Sequence, residues 1–123
     1  MAWNFSPNKP VFIQIGEKIK LSVISGKYPP GAQVPTVRQL ALEAAVNPNT
    51  VQRAFSVLET EGIIISKGTA GKFVTEDISV IEECRKRMAQ KIIDTFVLDM
   101  NNLGISTENA IYLLELEKGK EKL

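Results

Sequence analysis

The chain contains no histidine and a single cysteine, Cys84. The missing histidine removes the commonest general base, the commonest metal ligand and the Ser-His or Cys-His nucleophile pair. One cysteine excludes an intrachain disulfide. No cluster has zinc-ligand spacing, and no glycine-rich loop with its lysine is present to cradle a phosphate. Nor does any apolar run approach a membrane span. The start, Met1-Ala2-Trp3-Asn4-Phe5, lacks the basic residues and apolar stretch of a signal peptide. These absences predict a cytoplasmic protein that binds no metal or cofactor and does not engage a membrane; Asp, Glu, Lys and Cys remain for chemistry, but no constellation of acid, base and nucleophile can be assembled from them, so an enzyme is not expected.

Charge of one sign is also scarce. The 15 Lys and Arg are nearly balanced by 14 Asp and Glu, a net charge of +1. Residues 1–77 carry 8 basic against 6 acidic side chains and residues 78–123 carry 7 against 8. A nucleic-acid surface, if present, rests on placement rather than on bulk charge. The 123 residues suffice for one domain and a small appendage.

What is present reads as mainly α with a small β-hairpin. Phe12, Ile15, Ile19 and Val23 recur at helical spacing after Pro10, and Gly26 stops that helix. Tyr28-Pro29-Pro30-Gly31 is a turn-rich connector. Thr36 caps a second helix with Val37, Leu40, Ala41 and Ala44 inward. After Ala45-Val46-Asn47, a third helix begins with Asn47 as cap, its side chain expected to take the Thr50 N–H, and Pro48 at the first position. Val51, Ala54, Phe55 and Leu58 form its buried stripe. Gly62 ends it. Ile63-Ile64-Ile65-Ser66 and Lys72-Phe73-Val74-Thr75 flank Lys67-Gly68-Thr69-Ala70-Gly71 as a hairpin.

Two helices joined by three residues make a helix-turn-helix. The third helix gathers Asn49, Gln52, Arg53 and Ser56 on one face opposite the core. Asn, Gln and Arg are the side chains that pair with adenine or guanine edges. The helix start is expected to leave backbone N–H groups for a phosphate, with the hydroxyls of Thr36 and Thr50 and the hairpin lysines Lys67 and Lys72 as further contacts. On the residues alone, a merely solvated face and a winged helix used for protein interaction remain alternatives.

The order of these features carries a resemblance. Tyr28-Pro29-Pro30-Gly31, Val34-Pro35-Thr36-Val37-Arg38-Gln39-Leu40-Ala41, Val46-Asn47-Pro48-Asn49-Thr50-Val51, Leu58-Glu59-Thr60-Glu61-Gly62 and Gly71-Lys72-Phe73-Val74 resemble the GntR family of bacterial regulators over residues 10–76. The short remainder resembles the YtrA-type subgroup, which ends in two helices in place of a large ligand-sensing domain. The resemblance implies a winged helix-turn-helix (residues 1–77), a two-helix dimerisation unit (78–123), and a homodimeric regulator, commonly a repressor, at an inverted-repeat operator in double-stranded DNA. It assigns DNA contacts to Arg38, to Asn47, Asn49, Thr50, Gln52 and Arg53 with Pro48 among them, and to the wing, where Lys67, Gly68, Thr69, Gly71 and Lys72 lie. Thr36 stands where the family usually has serine, Gln39 where it usually has an acid, and the wing has no arginine.

In the C-terminal block Ile81, Cys84, Met88, Ile92, Phe96, Met100 and Leu103 are three or four apart, with Ile93 and Val97 widening the stripe. Gly104 and Ser106 separate them from Ala110, Ile111, Leu113, Leu114 and Leu116. A second copy is the economical cover for two such apolar helices. Ile81, Met88, Ile92, Phe96, Met100, Leu103, Ile111 and Leu114 are the expected dimer contacts. Packing back on the winged domain is the alternative. Cys84 reads as a small buried hydrophobe, with a redox role as the other reading. Arg85-Lys86-Arg87 reads as a solvated face or an approach to phosphate. The tail from Glu117 to Lys122 is expected to fray. Whether a small-molecule effector binds is left open.

Overall fold

A computed structural model describes residues 3–121; Met1, Ala2, Lys122 and Leu123 lie outside them. The elements in chain order are α1 (Val11–Ile24), α2 (Val37–Ala44), α3 (Pro48–Thr60), β1 (Ile64–Ser66), β2 (Lys72–Val74), α4 (Ile78–Asn102) and α5 (Thr107–Glu121), with a single 3₁₀ turn at Gly68–Ala70 between the strands. The mainly helical fold with a two-stranded antiparallel hairpin agrees with the sequence expectation.

The chain forms two compact units that divide after Arg85, inside α4. In the first, α3 packs on both α1 and α2, and Ile15, Ile19 and Val23 of α1, Leu40, Ala41 and Ala44 of α2 and Val51, Ala54, Phe55 and Leu58 of α3 are all buried. Ile63, Ile64 and Val74 add the hairpin's inner side. Phe55 is the largest side chain fully enclosed, and truncating it to alanine is expected to cost about 3–5 kcal/mol. The sequence reading divides the chain by role at Asp77; the first compact unit runs on to Arg85 and takes in Ile81 and Cys84, buried on the first two turns of α4. Arg85 reinforces the join by donating to the Ile24 carbonyl at 3.2 Å, satisfying one of the open carbonyls that end α1.

Side chains set the helix ends. Thr36 and Gln39 form a reciprocal capping box: the Gln39 N–H donates to Thr36 Oγ1 (3.1 Å) and the Thr36 N–H to Gln39 Oε1 (2.8 Å). Gln39 thus does the capping work of the acid usual at its position. Asn47 caps α3, but its side chain takes the Asn49 N–H (2.8 Å). Thr50 donates instead to the Asn47 carbonyl (2.9 Å), correcting the expected Thr50 bond. Between the two helices Ala45 adopts left-handed φ 58°, ψ 49°, and this single residue makes the sharp turn.

The hairpin is joined by part of the α1–α2 connector. Ile64, Ile65 and Ser66 pair with Val74, Phe73 and Lys72. On the other side of β2, Gln33 bridges to Phe73, and backbone bonds run from Gly31 to Val74, Val34 to Lys72 and Val74 to Ala32. The connector is therefore extended after its turn, as the residue before Pro35 favours.

In the second unit, the rest of α4 and α5 are joined by a short link through Gly104. Ala110 is buried, while Ile92, Ile93, Leu98, Leu103 and most of Ile111 to Leu116 are exposed. Helix α5 presents no single apolar side. It continues through Glu117 to Glu121, and Lys122, the end of the segment expected to fray, lies outside the described residues.

Candidate nucleic-acid interface

Three elements of the first unit expose polar side chains. Helix α3 buries Val51, Ala54, Phe55 and Leu58, and its geometry turns Asn49, Gln52, Arg53 and Ser56 outward together, all exposed. Helix α2 contributes Arg38, its second residue, exposed and, among the described residues, without an ion pair or hydrogen bond. The hairpin contributes Lys67 and the exposed Gly68, Thr69 and Ala70.

Local bonds decide which of these groups are available. Ser56 donates its hydroxyl to the Gln52 carbonyl (3.1 Å) and Thr60 to the Ser56 carbonyl (3.0 Å), so both are engaged within α3. The start of α3 offers fewer backbone donors than the sequence suggested. Pro48 has none, and the N–H groups of Asn49 and Thr50 are taken by Asn47. Asn47 retains its side-chain NH₂, and Thr36 and Thr50 retain hydroxyl donors at the two helix starts. Asn49 and Gln52 keep both halves of their amides, for among the described residues no side-chain bond engages them.

The basic side chains fall into different states. Lys72 is held by Glu59 at 2.6 Å, with its ammonium also over the Phe55 ring at 5.5 Å. Its charge is neutralised inside the fold, where the sequence placed it among wing contacts. Lys20 is likewise held by Glu61 at 2.8 Å. Lys67 stands over the Phe73 ring at 4.8 Å and is otherwise exposed. The Arg53 guanidinium carbon lies 3.9 Å from the centre of the Phe12 ring. Arg38, Arg53 and Lys67 are thus cations of these three elements that, among the described residues, no carboxylate compensates.

The wing tip is held in a defined shape. Lys67 donates its N–H to the Gly71 carbonyl (2.9 Å), and Gln33 donates its amide to the Ala70 carbonyl (2.9 Å). Gly71 has φ 113°, a conformation that strains any other residue, and a Cβ there would also displace the Gln33 amide, whose Nε2 would lie 2.6 Å away. Gln33, Glu59 and Phe12 are the residues that sequence reading missed. Phe12 read as part of the buried face of α1, and Glu59 only as part of the Leu58–Gly62 motif.

The expected dimer residues separate into two groups. Ile81 is buried in the first unit. Met88, Ile92, Phe96, Met100, Leu103, Ile111 and Leu114 belong to the second. There Phe96, Met100, Leu113, Leu114 and Leu116, with Glu117 and Lys120 at its rim, line an open apolar groove of about 550 Å³. Among the described residues no three His, Cys, Asp or Glu side chains gather as a metal site, and no helix is long and apolar enough to cross a membrane.

The profile of the family described as "Bacterial regulatory proteins, gntR family" matches residues 13–74, the span that holds these three elements. The chain belongs to the GntR family. Within it, the chain is 31% identical to the HTH-type transcriptional repressor YtrA of Bacillus subtilis over 100 residues, 80% of this chain and 77% of that one. A GntR family transcriptional regulator from Listeria monocytogenes has a similar structure, with TM-score 0.84 and 35% identity over 90% of this chain and 97% of that one. The DNA-binding domain of AraR, solved in complex with operator ORX1, matches 61% of this chain and 95% of its own at TM-score 0.56 and 25% identity. The fold is the winged helix-turn-helix of GntR regulators, and the relatives are transcriptional regulators rather than enzymes.

Proposed function

We propose that this GntR chain is a sequence-specific, homodimeric transcriptional repressor that binds an inverted-repeat operator in the cytoplasm. One observation carries the DNA reading: Asn49, Gln52 and Arg53 project together from α3, with uncompensated Arg38 on the neighbouring helix. A helix with these residue types near its N-terminal end suits the major groove. Thr36, Asn47 and Thr50 are placed to hold phosphates, and Lys67 with the glycines beside it suits the backbone along the wing. AraR's complex with an operator and YtrA's description as a repressor support the same reading.

The homodimer is supported by the exposed apolar side chains of the second unit. Ile92, Leu103, Ile111 and Leu114 are each at least half exposed in the single chain, and a second copy covers such a face in a C2 arrangement. Two α3 helices then address half-sites one helical turn or a multiple apart.

Selection of bound sequences from random duplexes tests the whole reading. An enriched palindrome supports it, and a salt titration should show affinity falling steeply as counterions are displaced. Arg38→Ala should cost about 1–3 kcal/mol of specific binding. Absence of duplex binding even at low salt would favour a winged helix used for protein interaction.

A further inference from the structure

Resting on the DNA reading above, we propose that Phe12 of α1 is a positioning residue for specificity: it holds the Arg53 guanidinium flat so that its edge reads a guanine. The guanidinium carbon is 3.9 Å from the Phe12 ring centre, well inside the distance at which such a pair attracts. Phe12 is half-buried on the second residue of α1, and α1 packs on α3, so the ring is a fixed platform. Arg53 itself is exposed and, among the described residues, has no carboxylate or carbonyl partner.

The contrast with Lys72 and Lys20 matters. Those cations are consumed by Glu59 and Glu61. Arg53 instead has its guanidinium carbon over the Phe12 ring, and among the described residues none of its N–H groups is engaged by a hydrogen bond or ion pair. A guanidinium presents its donors as a rigid planar fork. Fixing that plane removes rotamer freedom that would otherwise be lost on binding. A planar fork matches the paired O6 and N7 acceptors of guanine in the major groove. A phosphate contact needs no such orientation and carries no sequence preference. Gln52, on the preceding helical position, is free for a neighbouring base.

The test is selection from random duplexes by the full chain, compared with Phe12→Leu, Phe12→Tyr and Arg53→Lys. Phe12→Leu keeps apolar bulk without the π face, Phe12→Tyr keeps the face, and Arg53→Lys keeps charge without the fork. The expected result is one guanine per half-site whose preference collapses in Arg53→Lys. In Phe12→Leu its discrimination drops about threefold to thirtyfold, the range of a cation–π contact, and Phe12→Tyr restores it. Preferences at the other positions stay. If the wild-type chain enriches a site but Arg53→Lys leaves every preference intact, or Phe12→Leu weakens all sequences equally, the inference is overturned while DNA binding stands. If the wild-type chain enriches nothing, the DNA reading itself falls. Should Phe12→Leu fail to unfold cooperatively, Phe12→Met, which also lacks the π face, takes its place: loss of preference confined to that guanine is expected, and an equal loss over all sequences overturns the inference.

Discussion

The Lys72 ammonium donates to Glu59 Oε1 at 2.6 Å, tying the first residue of β2 to the last turn of α3. The two side chains are only 20% and 28% exposed, so the pair is screened less than a surface bridge. Lys72 therefore contributes to the angle between wing and helix rather than to the external field. Lys72→Ala should lower stability by about 1 kcal/mol, a fall in Tm of about 3–6 °C. It should leave the salt dependence of duplex binding nearly unchanged. Lys67→Ala should do the reverse, keeping Tm and making the salt slope shallower by about one. Equal slopes for the two variants would return Lys72 to the binding surface.

Ala45 makes the turn of the helix-turn-helix with φ 58° and ψ 49°. A side chain in this conformation costs about 1–2 kcal/mol through contact between Cβ and the carbonyl oxygen. Glycine removes that strain but adds freedom to the unfolded chain, offsetting about 0.5–1 kcal/mol. Ala45→Gly should accordingly raise stability by about 0.5–1 kcal/mol, and Ala45→Val should lower it. Urea unfolding with an unchanged m-value is the measurement. A glycine variant less stable than the wild type would show that Ala45 contributes something besides the turn.

Asp77 caps α4 by accepting the Ser79 hydroxyl at 2.6 Å and the Ser79 N–H at 3.0 Å. These bonds favour the carboxylate and hold its pKa below the ordinary 3.8. Because the folded value is the lower one, the stabilisation is fully present above the unfolded value. It is lost as pH falls through the folded value. The difference in Tm between wild type and Asp77→Asn should be constant above about pH 5 and shrink on further acidification. Parallel profiles down to the acid transition would mean that the carboxylate contributes no charge-dependent cap.

Periodicity and capping chemistry made the winged unit legible. Val51, Ala54, Phe55 and Leu58 had to be core once α3 was a helix, and that placed Asn49, Gln52 and Arg53 outside. The contacts that refine the face were not legible, because they join distant segments: Phe12 with Arg53, Glu59 with Lys72, Gln33 with Ala70. Residue type gives a cation's charge, but only the fold tells whether a carboxylate already holds it. Ile81 shows the same limit. Its spacing continues the stripe of Met88 and Ile92, yet the winged unit buries it.

In the second unit the spacing and the burial diverge in a way that bears on assembly. Ile92 and Leu103 are 70% and 74% exposed in the single chain. If they stay in water, Ile92→Glu and Leu103→Glu are surface changes, worth no more than about 0.5 kcal/mol each. If a second copy covers them, each glutamate places an unpaired charge in an apolar interface and association should fail. Sedimentation should then give a dimer for the wild type and a monomer for Ile92→Glu. The Tm of the wild type should rise with protein concentration and that of the variant should not. Affinity for a two-half-site duplex should drop steeply while affinity for a single half-site holds, since one α3 face per chain survives intact. A wild-type monomer at every concentration would break the dimer reading and leave the α3 face untouched.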